Sequence, residues 1–213
     1  MKKIITLIVI LAVAITANAQ MIKDKGFTED NETWNTGMNT MPNLAGRDGW
    51  TLYTTSMEYD SANDLARRTN DGNSSPRGMC QATTDTSGTW ASGMKLVVSY
   101  QAATNVGTLY IQTWGSDDTT WGGGLRTGDN NTPNNATDLG SITTNLPDGA
   151  SGNFVIDVDD WSSYTYFATR ILLQRTTSVN PPLNMEFTNV EIIPEPAALG
   201  LLALGILAFI RRK

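Results

Sequence analysis

The chain has 213 residues, a formal net charge of −6, no histidine and one cysteine. The lack of histidine excludes Ser-His-Asp and Cys-His nucleophile systems and His-ligated metals, and one cysteine excludes an intramolecular disulfide or a cysteine-cluster metal site. Five of the 15 basic residues lie at the two chain ends, so the rest has 10 basic and 21 acidic residues, a net charge of −11. Such a surface repels nucleic acid and anionic lipid headgroups, so neither is an expected partner of the body.

The first 19 residues have the three parts of an export signal. Met1-Lys2-Lys3 is basic, the run 4–17 is apolar, and Ala17-Asn18-Ala19 has the small-x-small pattern of a cleavage site. We therefore predict a signal-peptide helix over 1–19 that signal peptidase removes after Ala19. A retained membrane anchor is the alternative, but the polar chain that follows at once favours cleavage.

The body, residues 20–193, contains apolar segments of strand length bounded by Gly, Asn, Asp and Pro. Strands are predicted at 50–55, 95–101, 108–114, 153–158, 170–175 and 185–193. In the fourth of these, Phe154, Ile156 and Val158 are predicted to be buried, with Asp157 facing outward. The segments 95–101 and 108–114 are predicted to form an antiparallel pair.

Strands without intervening helical periods favour an antiparallel sandwich over parallel α/β units. The stretch 61–68 is compatible with helix, and one turn is expected there. The Asn/Gly/Thr-rich stretches 71–75 and 117–138 are predicted to be long loops within the domain. The predicted fold is all-β: one jelly-roll-like β-sandwich over 20–193, flanked by the N-terminal signal-peptide helix and a C-terminal hydrophobic helix.

Short motifs at both ends of the body resemble those of a known group of sandwiches. Gly26-Phe27-Thr28-Glu29-Asp30 lies near the predicted mature start, Gly49-Trp50 follows, and Phe187-Thr188-Asn189-Val190-Glu191-Ile192 closes the body. In these motifs the body resembles galactose-binding-like, carbohydrate-binding β-sandwiches, which often open with a Gly-x-Phe-Glu type strand. The resemblance implies a fold of that kind.

Aromatic residues supply the first candidate site. Trp and Tyr combine an apolar ring with a polar tip, which suits stacking on sugar rings at a half-wet surface. Trp114 and Trp121 flank a stretch that contains Asp117 and Asp118, so this corner is a candidate glycan platform. The alternative is that Trp114 caps the core and Trp121 packs the loop down. The other four tryptophans are predicted to anchor the core or loops: Trp34, Trp50, Trp90 and Trp161.

Carboxylates supply the second candidate site. Asp157, Asp159 and Asp160 cluster at a strand end and are candidates for a structural calcium, which takes about six to eight oxygen ligands. A solvated acidic edge is the alternative. Adjacent acids such as Asp117 and Asp118 cannot flank a glycosidic bond from an extended strand, because successive side chains point to opposite faces. A carboxylate pair from distant segments stays open, but no catalytic residue is assigned and no other cofactor is expected.

The single cysteine, Cys80, follows Arg77-Gly78-Met79. An unpaired thiol in an exported protein is unusual, and burial as a small hydrophobic residue is the expected outcome.

The last 20 residues also have three parts. Pro194-Glu195-Pro196 precedes the apolar run 197–210, and Arg211-Arg212-Lys213 ends the chain. Each proline fixes its own φ and disfavours helix before it, so the tripeptide is extended. The 14 apolar residues would span about 21 Å of a bilayer core of about 30 Å, so a short transmembrane helix is marginal. The terminal positive charge places that end in the cytoplasm.

This layout over 194–213 resembles the PEP-CTERM sorting signal of Gram-negative bacteria. In that family an exosortase, a membrane cysteine protease, handles the tail, and the proteins are associated with exopolysaccharide. The resemblance implies an exosortase as partner during export, a transient anchor in the inner membrane, and a final place at the cell surface or in the extracellular matrix. A plain tail anchor with an accidental Pro-Glu-Pro is the alternative.

The predicted function is therefore that of a non-enzymatic, exported surface or matrix protein associated with exopolysaccharide. A module that binds polysaccharide through Trp114 and Trp121 is the first alternative. A glycan-degrading enzyme and a structural subunit that assembles without glycan affinity are the others.

Overall fold

A computed structural model describes residues 22, 26–27, 32–33, 45–46, 49–52, 57–60, 62–68, 76–84, 93–118, 136–175 and 184–193. Eleven strands lie in these ranges: β1 (Glu32–Thr33), β2 (Thr51–Leu52), β3 (Met57–Asp60), β4 (Leu65–Arg68), β5 (Arg77–Thr83), β6 (Lys95–Thr104), β7 (Val106–Ser116), β8 (Thr137–Asn145), β9 (Gly152–Asp157), β10 (Tyr166–Arg175) and β11 (Asn184–Ile193). This part of the chain contains no apolar helix of membrane-spanning length. The predicted signal helix and C-terminal helix lie outside the described residues.

The strands form two sheets. One has six strands in the order β1-β2-β5-β10-β7-β8, and the other has five in the order β3-β4-β11-β6-β9. The long pairs, such as β10 with β7 and β11 with β6, are antiparallel, and the two-residue pair β1 with β2 is parallel. The prediction of an all-β antiparallel sandwich is confirmed.

The main core lies between the two sheets. Alternate residues of each central strand point inward, as the two-residue side-chain period of a strand requires. Fully or nearly fully buried residues of these strands include Leu96, Val98, Leu109, Ile111, Phe167, Ile171, Leu173, Phe187 and Val190. Trp50 and Trp161 are also buried, with ring centroids 5.8 Å from Phe27 and 5.4 Å from Phe167. These two tryptophans anchor the core as predicted, whereas Trp34 and Trp90 lie outside the described residues.

One charged side chain crosses the interior between the sheets. Arg68 of β4 is fully buried and donates hydrogen bonds to the backbone carbonyl oxygens of Leu173 and Arg77, which lie in the six-stranded sheet. A buried cation needs hydrogen-bond acceptors to offset its lost hydration. Arg68 therefore couples the two sheets by polar contacts as well as by packing.

The predicted pairing of 95–101 with 108–114 is wrong. β6 pairs with β11 and β9 in the five-stranded sheet, whereas β7 pairs with β10 and β8 in the other. The two strands are separated only by Asn105, which has a φ of 54°. A two-residue turn is the shortest common hairpin connection, so this single left-handed residue instead carries the chain from one sheet to the other.

The helical turn predicted in 61–68 is also wrong. Residues 62–64 form a turn and 65–68 form β4. Asp60 accepts hydrogen bonds from the backbone N–H of Ala62 and from Asn63 Nδ2, and Asp64 has a φ of 50°. These local contacts close a hairpin between β3 and β4 instead of starting a helix.

The remaining strand predictions are largely confirmed. Segments at 153–158, 170–175 and 185–193 correspond to β9, β10 and β11. Asp157 faces outward and Ile156 and Val158 are buried as predicted, whereas Phe154 is only half-buried. The predicted loop 71–75 and most of 117–138 lie outside the described residues, although β8 already begins at Thr137.

Candidate functional site

The side chains of the central strands that point away from the core form a second surface, which we call the outer face of the six-stranded sheet. β7 contributes Tyr110, Gln112 and Trp114, and β10 contributes Arg170 and Gln174. The strand register places Gln112 opposite Arg170 and Trp114 opposite Ala168. β7 and β10 thus bring aromatic and amide side chains together on this face.

One half of the outer face is buried. Arg170 and Trp114 are both 0% exposed, and the Arg170 guanidinium carbon lies 4.6 Å from the centroid of the Trp114 ring. Arg170 also donates through Nε and Nη2 to Gln112 Oε1, at 3.0 Å for the Nε bond. The ring and the amide oxygen together replace part of the hydration that the buried cation loses.

A small apolar cluster surrounds this polar stack. Trp114 packs with Cys80, Ala82, Tyr166, Ala168 and Ala45, separately from the main core, and Ala136 packs against the same cluster. Because Trp114 is buried and Arg170 faces its ring, the prediction that Trp114 stacks on sugar at the surface is wrong. The alternative interpretation, in which Trp114 is packed into a core, fits the structure. Trp121 lies outside the described residues.

The other half of the outer face is open, and we call it the open patch: Thr108, Tyr110, Asn145 and Gln174. Tyr110 is half-buried and donates from its hydroxyl to Gln174 Oε1 at 2.8 Å, while Thr108 Oγ1 donates to Asn145 Oδ1 at 3.0 Å. All four side chains are uncharged and offer hydrogen-bonding groups around one aromatic ring. Chemically, this patch suits a neutral, hydroxyl-rich ligand.

The acids of the predicted glycan corner have structural contacts. Asp117 Oδ1 accepts hydrogen bonds from the backbone N–H of Thr165 at 2.8 Å and from its Oγ1 at 3.0 Å. The backbone N–H of Asp118 donates to Ser116 Oγ at 3.1 Å. Asp117 thus fixes the chain just before β10, and the structure does not place these two acids beside an exposed aromatic ring of the described strands.

The predicted calcium ligands are not brought together. Asp157 pairs with Lys95, and Asp160 Oδ1 accepts hydrogen bonds from the backbone N–H and Oγ of Ser162 at 2.8 and 2.6 Å. The hydrogen bonds from Ser162 hold the pKa of Asp160 below its ordinary value. Asp159 is held through its backbone N–H, which donates to the carbonyl of Leu139 at 2.7 Å. Within the described ranges no three acids or cysteines lie close enough to hold a metal.

Cys80 is buried, as predicted, and is not in a disulfide. It faces Arg170 across the β5 and β10 pairing. Burial raises the pKa of the Cys80 thiol to about 12, against a smaller opposing effect of the Arg170 charge. A thiol this deeply buried stays protonated at neutral pH and is a poor nucleophile.

Sequence reasoning found half of this face. The alternation in 108–114 places Tyr110 and Gln112 on the side of Trp114, away from Leu109 and Ile111. It missed Arg170 and Gln174, because β10 was not recognised as the neighbour of β7. The available signal was the pair of polar residues Arg170 and Gln174, which lie four positions apart, and so on one side of an otherwise apolar strand.

Comparison with known proteins identifies one sequence family. Residues 193–213 match the PEP-CTERM protein-sorting motif, which confirms that resemblance. The motif marks an exported protein with a C-terminal, membrane-anchoring sorting signal. Of the matched residues, Ile193 ends β11, whereas the predicted sorting residues Pro194, Glu195, Pro196, Arg211, Arg212 and Lys213 lie outside the described residues, as do the cleavage residues Ala17 and Ala19. No curated protein matches the chain.

Several solved carbohydrate-binding modules are similar in structure. A structure of CBM4 is 13% identical, with a TM-score of 0.45 over 82% of this chain and 99% of that one. CBM28, a module specific for non-crystalline cellulose, is 8% identical, with a TM-score of 0.38 over 78% and 100%. A third, from work on promiscuous specificity in β-sandwich modules, is 5% identical, with a TM-score of 0.39, and the match covers 61% of this chain and only 46% of that chain. Likeness this distant shows neither a family nor a ligand for this chain.

Proposed function

We propose that this chain is a non-enzymatic, exported surface or matrix protein, that an exosortase handles its C-terminal signal, and that it associates with exopolysaccharide. The sorting-motif match at 193–213 is the observation that carries the proposal. β11 ends at Ile193, so the sandwich leads directly into the motif. The described acids with structural hydrogen bonds and the absence of histidine support a role without catalysis.

Intact-mass measurement of the protein from surface material tests the processing. The expected mass lacks 1–19 and most of the tail after Pro194-Glu195-Pro196. Replacing Pro194 and Pro196 by alanine is expected to leave the protein unprocessed in the inner membrane, because the extended tripeptide before the apolar run is lost. Pro147→Ala, in an exposed connection after β8, is the control and should be processed normally. A full-length tail on surface material would contradict the proposal.

The open patch favours a second candidate, in which the body itself binds glycan. The half-buried Tyr110 ring can stack on a sugar ring, and Gln174 can hydrogen-bond sugar hydroxyls beside it. The body, residues 20–193, has 10 basic and 20 acidic residues, and its net charge of −10 disfavours acidic polysaccharides. We therefore place the ligand among neutral polysaccharides.

Affinity electrophoresis of the full chain through gels that contain a neutral or an acidic polysaccharide tests this candidate. Retardation is expected in the neutral gel and should be lost in Tyr110→Ala and weakened in Gln174→Ala. Gln101→Ala is the matched control, because Gln101 is an exposed glutamine on the other sheet, where it donates to Glu186 at 2.9 Å. Trp121→Ala tests the corner around Asp117 and Asp118 separately. Equal retardation of Tyr110→Ala and the control would refute a site at the open patch.

A further inference from the structure

Edge strands present unpaired backbone N–H and C=O groups, and soluble proteins protect them with short length, charge or a covering segment. Four of the described strands lie at sheet edges, and three of them have such protection. β1 is two residues long, and β3 carries Glu58 and Asp60, which pair with Arg67 of β4. β9 ends at Asp157, whose side chain pairs with Lys95. Its backbone lies against Gly140 of β8, so closely that a Cβ built at Gly140 would be 2.2 Å from the carbonyl oxygen of Asp157.

β8 is different. It is nine residues long, it pairs with β7 on one side over residues 108–115, and no described strand lies on its other side. Asp138 is its only charged residue, and that side chain accepts hydrogen bonds from the backbone N–H of Gly140 and from Ser141 Oγ, both at 2.9 Å. The carbonyl of Leu139 accepts the backbone N–H of Asp159. Local contacts therefore occupy the first part of this edge, and the run 141–145 is the part on which a further strand could add.

The run 141–145 has the sequence Ser-Ile-Thr-Thr-Asn, without charge, proline or glycine. Ser141, Thr143 and Asn145 are exposed, while Ile142 and Thr144 are half-buried. β-branched residues predominate in it, and such residues favour extended pairing. A long, uncharged edge of this kind is a template for strand addition.

We propose that β8 pairs antiparallel with β8 of a second copy of this chain, about a twofold axis at Thr143, so that the two six-stranded sheets become one continuous sheet. If Thr143 lies opposite Thr143 of the other copy, the core-facing side chains of both copies lie on the same side of the joined sheet. A register shifted by one residue would place the core-facing side chains of the two copies on opposite sides. Thr143 is the midpoint of the uncharged run, so Ser141 lies opposite Asn145 and Ile142 opposite Thr144.

The run itself favours a second copy as the occupant, because the same uncharged strand then supplies both sides of the pair. The body has a net charge of −10, so two copies repel over most of their surfaces. Within the run 141–145, pairing centred on Thr143 brings no charges opposite each other, and Thr143 faces Thr143, a favourable cross-strand pair. The edge is thus the place where two acidic copies can approach closely. Such pairing depends neither on the sorting signal nor on glycan binding.

Sedimentation of the full chain in detergent tests the pairing. The wild type is expected to be a dimer at micromolar concentration, and Thr143→Lys is expected to weaken dimerisation about tenfold or more, because two lysines would lie directly opposite each other. Ala62→Lys is the matched control, since Ala62 is exposed in the turn between β3 and β4. A wild-type monomer overturns the proposal, whether another segment of the chain covers β8 or nothing does. So does a dimer that Thr143→Lys leaves unchanged.

Cysteine cross-linking tests the axis without relying on a charged variant. Cβ atoms directly opposite each other in an antiparallel pair lie about 4.5–5.5 Å apart, close to disulfide distance. Thr143→Cys is expected to form a covalent dimer on a non-reducing gel, and Ala62→Cys is expected not to. The native Cys80 is buried and does not compete. Equal cross-linking of the two variants would overturn a twofold axis at Thr143.

Discussion

At Gly78 the β5 and β10 backbones approach too closely for a side chain. A Cβ built there would lie 1.8 Å from the backbone oxygen of Ile171, and backbone atoms cannot move aside as a flexible side chain can. We predict that Gly78→Ala lowers the free energy of unfolding by about 3 kcal/mol, because the strands must separate locally. Urea unfolding followed by tryptophan fluorescence measures this difference.

Gly149→Ala is the comparison for this substitution. Gly149 has a φ of +79° and nothing within 4 Å of a built Cβ. Only backbone strain of about 1 kcal/mol is expected there. If both variants lose the same free energy, close backbone contact at Gly78 is not the cause.

At the scale of the elements, Arg67 holds three strands of the five-stranded sheet together. From β4 it contacts Glu58 and Asp60 of β3, at 3.4 and 2.8 Å, and Glu186 of β11 at 3.1 Å. We predict that Arg67→Gln lowers the free energy of unfolding by about 1 kcal/mol or less, because the contacts are partly exposed and the carboxylates can regain hydration.

The loss in Arg67→Gln should shrink at about 1 M salt, where the Debye length is only about 3 Å. Equilibrium unfolding of both proteins at low and high salt measures it. Lys95→Gln, which removes the pair with Asp157, should have a smaller effect, because the Asp157 side chain is 83% exposed. A loss in Arg67→Gln that is independent of salt would indicate a packing role for its aliphatic chain instead.

The strands that the sequence predicted share one property. β6, β7, β9, β10 and β11 alternate apolar and polar residues or run apolar, and their burial follows that pattern. β5 was missed because it is buried on both faces yet includes Gln81 and Cys80, and β8 was missed because Leu139 and Ile142 are not two residues apart. The strand register shifts at this end of β8, between Thr113 and Trp114 of β7, which explains the broken period.

Local sequence patterns could not predict which strands pair, and therefore could not predict which residues form the candidate site. Alternation could place Trp114 and Gln112 on one face, but the cation that covers Trp114 comes from a strand 58 positions further along than Gln112. The chain crosses between the sheets at Asn105, which has a left-handed backbone conformation. Asparagine adopts this conformation more readily than most residues, but its presence does not predict that it does so. Composition therefore indicated aromatic residues as candidates for a glycan surface, whereas the structure buries Trp114 against Arg170.

At the scale of the whole molecule, the two sheets present different outer surfaces. The five-stranded sheet carries Arg67, Lys95, Glu186 and Asp157 in ion pairs. The six-stranded sheet carries the open patch and the β8 edge, which are uncharged over Thr108, Tyr110, Gln174 and residues 141–145. In a body with a net charge of −10, an uncharged surface can meet a neutral polymer or another copy with less electrostatic repulsion than a charged one.

The absence of histidine also sets how the stability of the whole chain depends on pH. No side chain has an ordinary pKa between about 5 and 8, so we predict a constant free energy of unfolding between about pH 6 and 8. The pKa values of Asp60 and Asp160 are lowered by hydrogen bonds from Asn63 and Ser162. Their contribution to stability is present above the ordinary aspartate pKa and is lost as the pH falls through the lower folded values.

At alkaline pH, the buried cysteine changes the free energy of unfolding in the opposite direction, because its contribution is lost as the pH rises. The thiol of the unfolded chain ionises near the ordinary cysteine pKa of 9.0, whereas burial raises the pKa of the folded Cys80 to about 12. The unfolded state therefore binds fewer protons in this window, and the free energy of unfolding should fall as the pH rises above about 9. Urea unfolding from about pH 3 to 10 measures the whole profile, and in Cys80→Ala the part of the alkaline decline that is due to the thiol should disappear. A change in stability between about pH 6 and 8 would mean that a carboxylate or the thiol titrates far from where these contacts place it.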